Sequence, residues 1–229
     1  MLSAQNQAET AALEPAIYRH RFSAQDIADS ERYWRPICRY LQRWFPVDGT
    51  TLDVGAGSCQ FINNIQSGMK IAVDLNEENL RRYANPEVRA VVGTGAQLDG
   101  IETGSVDAAF ASNVYEHFQS REDVAASFRE VRRVLRPGGR FVILQPNFAC
   151  CSRRYFDFFD HRLIFTHRGM TEGLEIAGFE MEQALARFLP YTSKSRLPQA
   201  EWLVELYLRV PLAWRIMGQQ MLLIAKKPG

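Results

Sequence analysis

A chain of 229 residues, 46% hydrophobic and 23% charged, has the composition of an ordinary globular domain, long enough to bury a core without disulfides or metal staples. Its 27 basic and 26 acidic side chains leave a net charge of +1, which argues against a partner held mainly by charge, so no nucleic acid is expected as a partner. The 14 Phe, 8 Tyr and 4 Trp argue against disorder, and the 4 Cys, none of them in a CxxC pair, argue against a disulfide framework or a structural zinc site.

Residues 1–15 are mostly Ala, Gln, Glu and Thr and read as a loose lead-in. They lack the basic start and apolar core of a secretory signal, and no apolar run approaches a membrane span, so a cytoplasmic chain without a membrane span is expected. Residues 16–46 are rich in aromatics, among them Tyr18, Phe22, Tyr33, Trp34 and Trp44. The spacing of Trp34, Ile37, Cys38, Leu41 and Phe45 predicts a helix with one apolar face, ended by Pro46-Val-Asp-Gly49. Next come five short, mostly apolar segments that read as buried parallel strands: Thr51–Val54, Ile71–Asp74, Arg89–Val92, Val106–Ala111 and Phe141–Leu144. Helical stretches separate them. The clearest runs from Arg121 to Leu135, with the stripe Val124, Phe128, Val131 and Leu135, a Ser120/Asp123 capping box, and a stop at Arg136-Pro-Gly-Gly139.

Past residue 145 the rhythm breaks. Residues 146–166 have no clear period, and a helix is expected over His167–Ala177, ended by Gly178. Phe179–Phe188 and Met221–Ala225 read as strands. Residues 198–210 read as an amphipathic helix with Trp202, Leu203, Leu206 and Val210 inward, its outer face free for a homodimer or a lid. Strand–helix alternation of this kind implies an α/β fold with a parallel sheet covered on both faces.

Ligands of open parallel sheets bind beyond the C-terminal strand ends. The first strand runs into Leu52-Asp53-Val54-Gly55-Ala56-Gly57-Ser58-Cys59, where glycines permit a sharp turn and a close ligand approach. A lone glycine-rich turn is weak evidence. Here, however, the second strand ends in Asp74, 19 residues after Gly55, where a carboxylate can accept both hydroxyls of a ribose. The fourth strand ends in Ser112-Asn113-Val114-Tyr115-Glu116-His117, and Leu135-Arg-Pro-Gly-Gly-Arg140 turns straight into the fifth. A dinucleotide fingerprint would want a third glycine three positions after Gly57, and Gln60 stands there.

LDVGAGSCQF, AVDLN, VDAAFASNVYEHF and LRPGGRFVIL, taken in order, resemble the motifs of class I S-adenosylmethionine (SAM)-dependent methyltransferases of the type 11 subgroup. The resemblance covers about residues 48–146 and continues loosely through HRGMTEGLEIAGF and GQQMLLIAKKP. It implies a Rossmann-like fold, a seven-stranded, mostly parallel sheet with the last strand, Met221–Ala225, antiparallel, and helices on both faces. It also implies SAM as cofactor. By position, Asp53 would support the cofactor's methionine end, Gly55, Ala56 and Gly57 would pass beneath it, Asp74 would hold the ribose, Leu75 would meet the adenine, and Asn113 or its backbone the methionine ammonium. Two departures stand out. Cys59 replaces the third motif glycine, and Gly93-Thr94-Gly95-Ala96-Gln97 puts Thr94 where the family often has Asp, leaving the adenine amino group to the backbone near Ala96 or to Gln97.

The expected organisation is an N-terminal helical lid over residues 1–46 and a methyltransferase domain over 47–229, with insertions at 147–166 and 189–218 forming the acceptor pocket. An alcohol acceptor must lose a proton, so a base is expected. His161 is the first candidate, then His167, then His117. Asp157, Asp160, His161 and His167 fit no standard ligand spacing, and no metal is expected. The tail segments FDHRLIFTHRGM and RFLPYTSKSRLPQAEWLVELYLRVPLAWRIMGQQMLLIAKKP resemble family members of glycan and natural-product pathways, which implies O-methylation of a small hydroxylated molecule. C- or N-methylation of a quinone-like or amine acceptor, and SAM binding without catalysis by a sensor or partner subunit, are the alternatives.

Overall fold

The computed structural model describes residues 17, 20–21, 23–191 and 200–229. The lead-in over 1–15, Tyr18, Phe22 and residues 192–199 of the second expected insertion lie outside the described residues. After helix α1 (Ala24–Leu41) and a 3-10 turn (Gln42–Trp44), five strands follow in sequence: β1 (Thr50–Val54), β2 (Met69–Asp74), β3 (Val88–Val92), β4 (Val106–Ser112) and β5 (Leu135–Pro146). Helices α2 (Gln60–Asn64), α3 (Glu77–Tyr83) and α4 (Arg121–Val134) connect them. Then come α5 (Phe148–Tyr155), α6 (His167–Ile176), β6 (Glu180–Leu185), α7 (Glu201–Arg209), α8 (Pro211–Met217) and β7 (Gln220–Lys226). Among the described residues no helix is long and apolar enough to cross a membrane.

The strands form one seven-stranded sheet in the order β3-β2-β1-β4-β5-β7-β6. β1 to β5 pair in parallel, while β7 slots antiparallel between β5 and β6. Strand periodicity divides the core into two layers. Ala109 of β4, Phe141 and Ile143 of β5, and Leu223 of β7 pack with Phe128 and Val131 of α4 and Leu174 of α6 on one face. Their neighbours Phe110, Val142, Leu144 and Leu222 pack with Ile37 and Leu41 of α1, Ile62 of α2 and Trp214 of α8 on the other. Both sides of the central strands are therefore apolar, and their sequences read as continuous runs. Phe110 stacks on Phe61, ring centroids 3.8 Å apart, which ties β4 to α2.

The helix termini follow the expected chemistry. Ser120 caps α4 by accepting the Asp123 amide, and its hydroxyl donates to the Asp123 carboxylate. Thr166 caps α6 by accepting the Gly169 amide, and Gly178, at φ +88°, closes it.

Two expectations are corrected. β3 is not a buried strand: it is the sheet's edge, and Arg89, Ala90 and Val92 are exposed. The inward face of α7 is Val204 and Leu208, whereas Trp202, Leu206 and Val210 are exposed and Leu203 is only partly buried. Apart from the stripe of Glu201, Glu205 and Arg209, α7 is apolar over a broad arc, so its sequence offers two apolar stripes. Packing against α1, reinforced by Arg39 pairing with both Glu201 and Glu205 at 2.5 Å, selects the other one.

Candidate functional site

β1 lies between β2 and β4, so the ends of all three open side by side. The chain leaves β1 through Gly55, whose amide donates to the Val73 carbonyl at 2.8 Å. Gly55 has φ +71°, and a Cβ there would sit 2.4 Å from Val114 Cγ2. Backbone handedness and lack of room both demand glycine. Cys59 takes φ +59° where the family pattern has its third glycine, a left-handed conformation that costs a side chain about 1–2 kcal/mol.

Asp74 is oriented by this turn. Its Oδ2 accepts the Gly57 amide at 2.7 Å and its Oδ1 the Asn76 amide at 2.8 Å. Burial raises its pKa, and these two amides pull the other way. Asp53, 2% exposed at the end of β1, is pushed well above the ordinary carboxylate range by burial and by the charge of Asp74. Buried Asp53 and half-buried Asp74 thus form an acidic floor with spare acceptor capacity. Asp53, Gly55, Ala56, Gly57, Asp74 and Asn113 line one cleft of about 1270 Å³. Asn113 holds φ +50° at the end of β4, its amide bonded to the Leu144 carbonyl at 3.0 Å. A strained non-glycine backbone of this kind is common at binding sites.

Leu75, Gly93, Thr94, Gly95 and Ala96 line an adjoining cavity of about 90 Å³, together with Gly55, Asp74 and Phe118. Thr94 Oγ1 accepts the Ala96 amide at 3.1 Å and so shapes the turn. Gln97 lies outside this lining; its exposed side chain donates to Asp99 at 2.7 Å.

The same cleft is lined by Glu116, His117, Asp160, His161 and Tyr191, and His117 also lines the side cavity. The loop carrying His161 is tied to the end of β4, because the Arg162 and Leu163 amides both donate to the Glu116 carbonyl, at 2.8 and 3.1 Å. His117 and His161 consequently lie with ring centroids 5.1 Å apart, and each Nε2 stands 4.0 Å from Glu116 Oε1. Burial, then the neighbouring His117 and Arg21, push the His161 pKa down to about 4 in spite of Asp160, so its ring is neutral at pH 7. Phe158 stacks on it and Tyr155 meets it edge-on. Burial raises the pKa of Glu116, against the pull of His117 and of the Gln145 hydrogen bond.

Residues 52–143 match the family model described as a methyltransferase domain. Over those residues the chain carries a methyltransferase domain. Along the sequence it is 33% identical over 171 residues to a methyltransferase of Claviceps purpurea, covering 65% of this chain and 50% of that protein. It is 30% identical over 169 residues to an uncharacterized 37.1 kDa protein of a Streptomyces fradiae transposon, covering 66% and 48%. The chain thus spans about half the length of these curated relatives. A SAM-dependent methyltransferase from Archaeoglobus fulgidus shares the fold, with a TM-score of 0.65 at 18% identity over 86% of this chain and 95% of that one.

Within this methyltransferase domain, the residues expected at the cofactor converge on the cleft and its side cavity, apart from Gln97. Of the histidine candidates, His161 and His117 line the cleft and meet ring to ring. His167 does not line it: the ring sits at the start of α6, its Nδ1 3.2 Å from Asn147 Nδ2. Sequence reasoning passed over Glu116 as an acidic member of the site. Its only signal was its place in the polar run after β4, because its burial depends on Gln145 and on the His161 loop.

Proposed function

We propose that this chain transfers a methyl group from SAM to a hydroxyl of a small hydroxylated molecule, such as a sugar or glycan precursor or a natural product. One observation carries the reading: the glycine turn with its acidic floor and the Glu116/His117/His161 cluster line the same cleft. The residues present fit the cofactor. Asp74, held by two backbone amides, keeps lone pairs for ribose hydroxyls, and the paired burial of Asp53 and Asp74 favours a ligand bearing positive charge and hydrogen-bond donors. When bound, SAM supplies an electrophilic methyl group, so the protein's task is alignment and exclusion of water.

His161 Nε2 receives the acceptor's hydroxyl hydrogen, with His117 Nε2 beside it and Tyr155 and Phe158 walling out water. A neutral imidazole suits that role. α1, residues 147–166 and the described parts of 189–218 form the walls and lid of the acceptor pocket. Support for the aromatic enclosure comes from the Phe158–His161 stack, at 5.0 Å.

Calorimetry with SAM and S-adenosylhomocysteine tests the cofactor, and a screen of hydroxylated small molecules with methyl-labelled SAM tests the acceptor. A folded sample that binds neither compound ends the reading. Label found on carbon or nitrogen of the product assigns the alternative chemistry. Cofactor binding with no transfer to any acceptor favours a sensor or partner role.

A further inference from the structure

We propose that Glu116, His117 and His161 form a divalent transition-metal site, of two imidazoles and one carboxylate, at the acceptor end of the cleft. One ligand atom from each residue lies within 4.8 Å of the other two. The three do not bond one another: Glu116 Oε1 stands 4.0 Å from each imidazole Nε2, beyond hydrogen-bond reach. Each is instead held from behind by a partner that leaves the facing atom available. His117 Nδ1 meets the Asp160 carboxylate at 3.3 Å and the Asp160 carbonyl at 3.2 Å. This is the carboxylate–histidine arrangement that fixes a ligand's tautomer and orients its Nε2 lone pair. His161 Nδ1 lies 3.4 Å from the Tyr191 hydroxyl, and Glu116 Oε2 accepts from Gln145 Nε2 at 2.5 Å.

A single general base would need one oriented ring. Here two rings and a carboxylate are oriented toward a common space, and the carboxylate is 1% exposed. A buried carboxylate is stabilised by a hydrogen bond, a proton or a cation, and Glu116 has one oxygen on Gln145 while the other faces the two imidazoles. The Arg21 guanidinium pairs with Asp160, which also meets His117 Nδ1. Metal bonds of about 2.0–2.2 Å need only a small inward rotation of the three side chains from their present separations. Mixed imidazole and carboxylate donors suit zinc, cobalt, iron or manganese, and three protein ligands leave positions open toward the cleft. Those positions take an oxygen of the bound molecule. This role of the open positions rests on the methyl-transfer reading, in which the ion would hold the acceptor hydroxyl in place of direct contact with His161. The metal site itself does not depend on that reading.

The test uses the full chain stripped by chelation and dialysis. Cobalt(II) is titrated in while its visible d–d absorption is followed, and zinc is titrated against a chromophoric chelator. One ion per chain is expected. His117→Gln, His161→Gln and Glu116→Gln should each weaken binding at least ten-fold, while His167→Gln, away from the cleft, should leave it unchanged. Circular dichroism checks the fold of each variant, and His117, the most exposed of the three, keeps the test alive if Glu116→Gln does not fold. Metal binding that is absent, or is equal in wild type and all folded variants, overturns the proposal. SAM calorimetry on the same stripped protein separates the two readings: intact SAM binding without a metal site sinks only this inference, and a metal site without SAM binding sinks only the methyl-transfer reading.

Discussion

The Gly57 amide donates to Asp74 Oδ2 at 2.7 Å, which locks the turn after β1 to the carboxylate at the end of β2. The carboxylate proposed to hold the ribose is thereby oriented by the adjoining loop. Asp74→Ala should weaken SAM binding by about 2–4 kcal/mol, the scale of hydrogen bonds to a charged group. The fold should survive, because Asp74 ends a strand rather than filling the core. Calorimetry and circular dichroism check both halves, and unchanged affinity in a folded variant would displace the cofactor from this cleft.

Gly55→Ala places a Cβ 2.4 Å from Val114 Cγ2 at φ +71°. Strain of about 1–3 kcal/mol is expected from the backbone alone, and Val114 cannot move without disturbing the end of β4. Thermal melts should show a lowered Tm that Val114→Ala restores only in part, since it relieves the clash but not the φ. Full recovery in the double variant would mean that handedness does not matter there.

Asp53 gives a pH prediction. Its pKa is about 3.9 in the unfolded chain and well above that in the folded one, from burial and the charge of Asp74. The folded chain keeps this proton to higher pH than the unfolded chain does. The associated stability is complete below the unfolded value and is lost as pH rises through the folded one. Asp53→Asn, neutral at every pH, should therefore raise the Tm of the ligand-free protein near pH 8 more than near pH 5, while weakening SAM binding. Equal Tm shifts at both pH values would show that Asp53 is not carrying charge against burial.

In the metal-stripped protein, His161→Ala should lower turnover of a hydroxyl acceptor by about 10²–10⁴-fold, the usual contribution of a positioned proton acceptor, with SAM affinity nearly unchanged. Steady-state kinetics beside cofactor calorimetry read this. If affinity falls as far as turnover, His161 serves packing or the cofactor; if neither falls, the proton goes elsewhere, His117 being next in the cleft.

The parallel strands, the glycine turn and the acidic strand ends were legible in the sequence because each is a local device. A buried strand must be apolar, a sharp turn needs glycine, and motifs at successive strand ends recur in a fixed order. Asp53, Gly55 and Asp74 could be named from spacing and family likeness for that reason. Other features are relations between distant segments. Nothing in Val88–Val92 says that no strand pairs on its far side, so its exposure is decided by sheet order. α7 carries apolar residues on two faces, and only docking against α1 through Arg39 chooses Val204 and Leu208 over Trp202 and Leu206. Glu116 and His161 are far apart in the chain and carry no shared motif. Two backbone hydrogen bonds from the loop after His161 to the Glu116 carbonyl bring them together. The sequence by itself determined which residues could line a cleft at the strand ends. The tertiary structure decided which of them face one another, because a side chain's direction is set by the segments packed on it and those segments lie elsewhere in the chain.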